Sequence, residues 1–410
     1  MNIYMLIIVG FIVFVYVVQS IADILNLKNI SSQIPVEFSN VFDAEKYAKA
    51  QDYLKTKTKL SLFESSFLLI IQVVFIILGG FGVVDSFARS FGQGEIATGL
   101  VFAGILLLAL EIIKIPFLAY DTFVVEEKFG FNRTTFKTFI TDLIKGWVIG
   151  AIVAGIIFSI VVWFFAELGK FAWVYAFLAV AAFELFFTFI YPVVIMPLFN
   201  KFTPLADGEL KTSVENYAKA ENFKMKGLFT MDNSKRSTKS NAFFAGFGRF
   251  RRIVLFDTLI QKHTVEELTS VLAHEMGHFK LGHILKQMVL GFVSMAAMFF
   301  LLSIFISSPW LFEAFKVSTP SVYAGIVFFG FLYIPISFAL SIITSAFSRK
   351  CEYEADAYAV TTYKKPQAMI DALKKLSVDN LSNLTPHKFK VFLEYSHPPV
   401  LERIKAIKDL

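Results

Sequence analysis

The chain has 410 residues, of which 56% are hydrophobic and only 18% are charged. Soluble domains carry about 25% charged residues, so this composition indicates a membrane protein. The net charge of +6 does not indicate a nucleic-acid-binding protein, because the basic residues are scattered among loops and form no continuous stripe. The single cysteine, Cys351, excludes an internal disulfide and a thiolate metal site.

Seven apolar stretches are long enough, or nearly long enough, to supply the about 20 helical residues that cross a bilayer. They cover residues 3–19, 62–84, 97–118, 143–165, 172–198, 284–306 and 322–347. We expect the first to be retained, because it has neither a basic flank nor a cleavage site. The polar segment 42–59 has apolar residues at helical spacing and is predicted to be an amphipathic helix at the membrane interface.

Basic residues in the short loops predict the orientation. Six lysines lie between residues 20 and 59 and three basic residues between 119 and 142, whereas the alternate loops carry one each: Arg89, Lys170 and Lys316. The positive-inside rule therefore places the N-terminus outside or in a lumen, and the C-terminus and the long loop 199–281 in the cytoplasm. We expect a multi-pass protein of the bacterial plasma membrane or the endoplasmic reticulum, with no nucleic-acid partner and no obligate protein partner.

The long loop contains an H-E-x-x-H element, formed by His274, Glu275 and His278. Histidines four residues apart lie on the same helical face, so both imidazoles can reach one tetrahedral cation. Glu275 follows about 100° further around the helix and can reach a water molecule beside the metal. Thr264 and Glu267 form a capping box that predicts the start of this helix. The pattern is typical of metal-assisted hydrolysis.

Three short strands are predicted before the motif helix, at residues 226–231, 240–245 and 252–256. Strands followed by a metal-binding helix are the usual support of a zinc-dependent peptidase, because an edge strand can align an extended substrate above the metal. We therefore expect a small β-sheet in an otherwise helical protein.

A third metal ligand is needed if a fourth position is to stay open for water. Glu352 is the best candidate, since Asp356 shares its helical face and could accept the outer N–H of a ligating imidazole. The alternative is that both acids lie at the solvated start of a helix. His283 is rotated about 140° off the histidine face and is expected to be structural or to support a ligand. His263 is expected to be an exposed loop residue, and His387 has no partner pattern.

The chain resembles the type I CAAX prenyl endopeptidases, integral-membrane zinc metalloproteases with seven spanning helices. The resemblance covers essentially the full length. It is carried, in order, by residues 42–47, 126–132, 191–202, 240–242, 252–258, 274–278, 352–356 and 396–399. It implies one Zn²⁺ per chain, held by His274, His278 and Glu352, with Glu275 as the general base.

The resemblance also implies roles for four other residues. His397 and Arg403 belong to a C-terminal tail that returns to the active centre, where His397 can stabilise an oxyanion. Asp356 is the acid of the family's E-x-x-x-D element, and by its spacing we favour support of a ligand over proton donation. Asn241 faces the substrate backbone on the edge strand. The implied partners are membrane lipid and a protein or peptide substrate, which is prenylated in eukaryotic members.

The expected fold is a membrane all-α fold with seven transmembrane helices and a cytoplasmic metalloprotease region containing a small β-sheet. The resemblance implies that the helices form a barrel around an interior chamber. Polar residues inside the spans, such as Glu111, Lys114 and Glu184, are expected to line this chamber, with a packed intramembrane ion pair as the alternative.

Four sequence regions are expected. Residues 1–199 form the first five spans and the amphipathic helix, 200–283 the insertion with the motif, 284–347 the last two spans, and 348–410 the segment that completes the site. Two other functions stay open at this point. One is a quality-control membrane protease of the heat-shock type, and the other is a catalytically silent scaffold or transporter.

Overall fold

The computed structural model describes residues 2–225, 227–245 and 252–410. Its helices are α1 Ile3–Lys28, α2 Ala44–Leu78, α3 Gly80–Arg89, α4 Glu95–Tyr120, α5 Phe136–Glu167, α6 Ala172–Ile190, α7 Met196–Phe199, α8 Glu209–Ala220, α9 Asp257–Ile260, α10 Val265–Lys280, α11 His283–Phe305, α12 Pro309–Ala314, α13 Val322–Tyr363, α14 Pro366–Asp379, α15 Lys388–Glu394 and α16 Val400–Lys408. Two π-helical segments, Asp121–Glu126 and Tyr191–Ile195, follow α4 and α6.

Within the described residues, seven helical segments are long and apolar enough to cross a membrane, and each contains most or all of one predicted span. The membrane helices contact one another around a ring: α1 with α2, α4 with α5, α5 with α6, α6 with α11, α11 with α13, and α13 with α1. Helix α3 joins α2 to α4, and α13 also contacts α4 and α5. A cavity of ≈ 810 Å³ lies among α5, α6 and α11, and Glu184 is part of its lining. The predicted barrel with interior space is confirmed.

Two predicted helix boundaries are wrong. Segment 42–59 is not a separate interfacial helix, because it continues into the second span as the single helix α2. The side chain of Asp43 caps its start by accepting the Lys46 N–H at 2.7 Å, and Gly79 ends it with a φ of 78°. No glycine or proline interrupts the sequence between them. Helix α13 likewise runs past the end of the predicted span at residue 347 and continues to Tyr363, because no glycine or proline lies between these two positions.

The sheet contains β1 Phe202–Pro204, β2 Gly227–Met231, β3 Ala242–Ala245 and β4 Arg252–Phe256, in the order β1-β2-β4-β3. The pair β2 and β4 is parallel, and the other two pairs are antiparallel. The three predicted strands are confirmed, although Lys226 lies outside the described residues; β1 was not predicted. Strand β3 is an edge strand and contacts the motif helix α10.

Candidate metal centre

The motif helix begins where its capping box predicts. Thr264 Oγ1 accepts the Glu267 N–H at 3.3 Å, and the Glu267 carboxylate accepts the Thr264 N–H at 3.0 Å. One face of α10 is apolar and packs against the sheet and α8 through buried side chains that include Leu268, Leu272 and Met276. Burial of this face fixes the rotation of the helix and turns the histidine face toward α13.

His274, His278 and Glu352 bring one potential ligand atom each to within 4.8 Å of one another. The two Nε2 atoms are 3.1 Å apart, and the Glu352 carboxylate lies 3.4 Å from Nε2 of His274 and 3.3 Å from Nε2 of His278. Oε2 of Glu352 is buried without a hydrogen-bond partner among the described residues. Two converging imidazoles beside a buried carboxylate fit a divalent cation and match the donor set of catalytic zinc sites.

Asp356 lies against the outer side of His274. Its Oδ1 lies 2.8 Å from Nδ1 of His274. Both of its oxygens also accept hydrogen bonds from Arg403, from Nη2 at 2.7 Å and from Nε at 2.8 Å. Nη1 of Arg403 lies 3.5 Å from Glu352. With 1% of its surface exposed, Asp356 sits behind the ligand and not in open space beside it.

His278 is held by a second chain of contacts. Its Nδ1 lies 3.1 Å from Nδ1 of the buried His283, and Nε2 of His283 lies 2.9 Å from the Glu354 carboxylate. A carboxylate only accepts, so His283 donates from Nε2 and accepts at Nδ1. His278 must then donate from Nδ1, which leaves the lone pair of its Nε2 free for a metal. The sequence indicated a supporting role for His283 but gave none to Glu354.

The pKa values of Glu275 and His274 are both raised, but for different reasons. Burial raises the pKa of Glu275, and the nearby His274 and His278 only partly oppose this shift. Burial alone would lower the pKa of His274, but its contacts with Asp356 and Glu352 outweigh burial and raise the pKa to about 9. A raised pKa suits a carboxylate that has to accept a proton and pass it on.

The C-terminal tail brings His397 to the centre. Its Nε2 lies 3.3 Å from Oε1 of Glu352, and its side chain is 64% exposed. Although the side chain is exposed, desolvation by the surrounding protein lowers the pKa of His397, and the nearby Glu352 only partly opposes this shift. Arg349 holds the tail by donating from Nη1 to the carbonyl oxygens of Val391 and Tyr395, at 3.1 and 2.6 Å. An exposed imidazole beside the ligand set can contact a bound substrate.

Asn241 lies immediately before the edge strand. Its backbone carbonyl accepts the Phe256 N–H at 3.1 Å, which continues the pairing of β3 with β4. Its side chain is exposed, and Oδ1 accepts the Ala242 N–H at 2.9 Å. The structure thus brings seven of the eight predicted site residues together and places Asn241 next to the edge strand.

Two sequence interpretations are wrong. Glu352 and Asp356 do not begin a solvated helix, because both are buried in the interior of α13. His263 is not exposed: its ring is buried, with Nδ1 3.3 Å from Glu267 and Nε2 3.8 Å from Asp379. The sequence around His263 contains no pattern that predicts this burial. His387, which had no predicted partner, caps α15 by accepting the Phe389 N–H at 3.2 Å.

Known proteins resemble this chain over its full length. Residues 23–201 match the family described as "CAAX prenyl protease N-terminal, five membrane helices", and residues 204–410 match "Peptidase family M48". The probable CAAX prenyl protease 1 of Schizosaccharomyces pombe is 35% identical over 91% of this chain and 81% of its own length. The human CAAX prenyl protease 1 homolog is 31% identical over 93% of this chain and 90% of its own.

The crystal structure of S. mikatae Ste24p aligns with a TM-score of 0.94 at 31% identity, covering 98% of this chain and 99% of that one. These matches favour a protease over a catalytically silent scaffold or transporter. The match of the N-terminal half favours a protease of the CAAX type over one of the heat-shock type. The chain therefore belongs to the CAAX prenyl protease branch of peptidase family M48 and is a multi-pass membrane metalloendopeptidase.

Proposed function

We propose that this protein is a zinc-dependent endopeptidase that cleaves near the C-terminus of prenylated, CAAX-type protein substrates. The observation that carries the proposal is the convergence of His274, His278 and Glu352 on one point, with Glu275 on the same helix. The prenylated substrate is inferred from relatives named CAAX prenyl proteases.

Zinc is the metal that suits this donor set. Two imidazole nitrogens and one carboxylate oxygen are the ligands of many hydrolytic zinc sites, which keep a fourth position open. Bound zinc would act as a Lewis acid on the scissile carbonyl and would acidify water. Asp356 and His283 would fix the rings of His274 and His278, so that each presents the lone pair of Nε2.

The protein's own residues would then move the protons. Glu275 takes a proton from the attacking water and returns it to the departing amine, and its raised pKa favours this return. His397 donates from its imidazole to the oxyanion that develops on the scissile carbonyl. Asn241, immediately before the edge strand β3, binds the substrate backbone. The substrate then pairs with β3 as an added strand.

The cavity among the membrane helices favours the proposal that the substrate carries an apolar chain. Its ≈ 810 Å³ is lined mainly by apolar side chains, among them Phe243 and Phe244 of the edge strand. Ile284, which follows the His283 that contacts His278, lies in the same lining. A peptide held along β3 would therefore place a chain attached near its scissile bond within reach of this cavity.

We infer that the metal centre faces the cytoplasm, in the endoplasmic reticulum membrane or a bacterial plasma membrane. The lysine-rich end of α2 supports this orientation, because Tyr53 on it contacts Lys239 beside the sheet. We also propose the four-part division at residues 199, 283 and 347. The two family matches meet between residues 201 and 204, close to its first boundary.

The proposal is tested with purified protein and two peptides of equal sequence, one farnesylated and one not. We expect one equivalent of zinc, loss of cleavage with a chelator, recovery with zinc, and faster cleavage of the farnesylated peptide. Equal rates for both peptides would refute the preference for a prenylated substrate but would leave the proposed endopeptidase activity intact. Cleavage that survives complete metal removal would overturn the mechanism.

A further inference from the structure

Lys239 joins the protease region to the membrane helices. It lies two residues before Asn241. Its Nζ lies 2.8 Å from Oε2 of Glu126 and donates to the Tyr53 hydroxyl, also at 2.8 Å. That hydroxyl donates in turn to Oε1 of Glu126 at 2.6 Å. Because Tyr53 belongs to α2 and Glu126 ends the π-helix after α4, two membrane helices hold the residue that leads into the edge strand.

The π-helix explains how its acids reach this position. Asp121 and Glu126 are five residues apart, yet both approach Nζ of Lys57, at 2.6 and 3.4 Å. In an α-helix, residues five apart point about 140° away from each other. The i→i+5 hydrogen bonds of a π-helix place them one above the other. The irregular turn thus directs two carboxylates toward Lys57 and Lys239.

The contacts of Lys239 are partly shielded from water. The side chain of Glu126 is 15% exposed and that of Lys239 is 35% exposed. Nζ also lies over the rings of Phe131 and Tyr53, at 4.6 and 5.2 Å from their centroids. Shielding strengthens ion pairs and cation–π contacts relative to those on an open surface.

Backbone contacts fix the same segment on both sides of Lys239. Thr238 donates its backbone N–H to the carbonyl of Phe131, in the loop after the π-helix, at 3.1 Å. The side chain of Asn380 accepts the Ser240 N–H and donates to the Ser240 carbonyl, each at 3.1 Å. The chain therefore enters β3 from a position set by the membrane helices and by the end of α14.

We propose that Lys239, held by Glu126 and Tyr53, is a positioning residue that sets the register of the substrate strand over the metal centre. The inference rests on the proposed function and adds a role for the membrane half in choosing the cleaved bond. A slip of one residue moves an extended strand by about 3.4 Å and turns its side chains to the opposite face. Loss of the network is therefore expected to change where the substrate is cut.

The test uses full-length protein and the variants Lys239→Met, Glu126→Gln, their double variant, and Lys239→Arg. The matched control is Lys128→Met, because Lys128, two residues after the π-helix, contacts Asp52 of α2 at 2.8 Å while both side chains are more than half exposed. The measurements are kcat/KM, the cleaved bond by mass spectrometry of the products, and zinc content.

We expect Lys239→Met to lower kcat/KM by about 10-fold or more, as for coupled members of one network, and to produce fragments cut at a neighbouring bond. The double variant should be no worse than Lys239→Met, Lys239→Arg should retain the wild-type bond, and Lys128→Met should match the wild type. Zinc content should stay at the wild-type level in all of them.

An unchanged cleavage site in Lys239→Met, or additive losses in the double variant, overturns the positioning role. If Lys239→Met does not fold, Glu126→Gln decides, because it keeps the shape of the acid: wild-type cleavage then overturns the inference. A wild-type protein that cleaves no peptide overturns the proposed function instead, so the two failures are distinct.

Discussion

Replacement of Asp356 by Asn tests whether this acid supports a ligand or donates a proton. Oδ1 contacts both Nδ1 of His274 and Nη2 of Arg403, and Oδ2 accepts from Nε of Arg403. Arg403 can only donate, so in either orientation of the amide its NH₂ faces a donor of the guanidinium. One buried donor without a partner costs about 1–3 kcal/mol.

The expected result of Asp356→Asn is a loss of metal affinity by about 10- to 100-fold, equivalent to about 1.4–2.7 kcal/mol, as for other partners of ligating histidines. Because the acid does not face open space, kcat should largely recover when zinc is saturating. Competition with a chromogenic chelator gives the affinity, and peptide cleavage over a range of zinc concentrations gives kcat. Wild-type zinc affinity combined with a lost kcat at saturating zinc would instead identify Asp356 as the proton donor.

Arg403→Met is the matched control for Asp356→Asn, since it leaves the Asp356 carboxylate in place but removes its Arg403 partner. Removing one partner of a buried pair costs about 3–5 kcal/mol, so this variant should lose more stability than Asp356→Asn. Thermal or denaturant unfolding of the two variants in the same detergent measures the difference. Equal stability would contradict the assignment of Arg403 as the partner that neutralises the buried acid.

Three further outcomes follow from the geometry of the centre. Glu275→Gln should keep its zinc but lose about 10²–10⁴-fold in kcat, measured by metal analysis and peptide cleavage; a wild-type rate contradicts the general base. Because the pKa of His274 is about 9 in the metal-free protein, zinc has to displace its proton, so affinity should weaken as pH falls below 9. Calorimetry in buffers of different ionisation enthalpy should detect that proton, and its absence refutes the assignment. His397→Ala should lower kcat by about 10²–10³-fold at unchanged zinc affinity, and a lost affinity would make His397 a metal ligand.

The sequence predicts the spans, three of the four strands and the motif helix, because each of these has a local sequence pattern. It misplaces the ends of α2 and α13. The length of an apolar stretch reflects the thickness of the bilayer, whereas a helix continues until capping residues or helix breakers end it. Gly79 provides such a stop after α2, and Lys364, with a φ of 57°, ends α13. Polar residues at the end of a span are no stop signal.

The support of His278 shows why spacing alone fails at the site. In a straight helix His283 would point about 140° away from His278. Gly282 has a φ of 71°, ends the motif helix region and turns the chain into α11, so the His283 ring returns to the side of His278. Its contact with Glu354 joins residues 71 positions apart, and no pattern in the sequence links them. The contacts of Lys239 with Tyr53 of α2 and Glu126 of the π-helix join residues still further apart along the chain.

The continuity of α13 determines where hydrolysis occurs relative to the bilayer. Glu352 lies 30 residues after Val322, the first residue of the helix, and 30 residues rise by about 45 Å. Even at a tilt of about 20°, typical of membrane helices, the projection exceeds the about 30 Å of the hydrocarbon core. With Val322 at one edge of the hydrocarbon core, the metal centre lies beyond the other edge, where water can reach it. The cavity extends from the membrane helices to the edge strand, since its lining includes Ile157 and Val180 from those helices and Phe243 from β3. A substrate bound there would keep an apolar chain at membrane depth while its peptide bond reaches the wet end of the barrel.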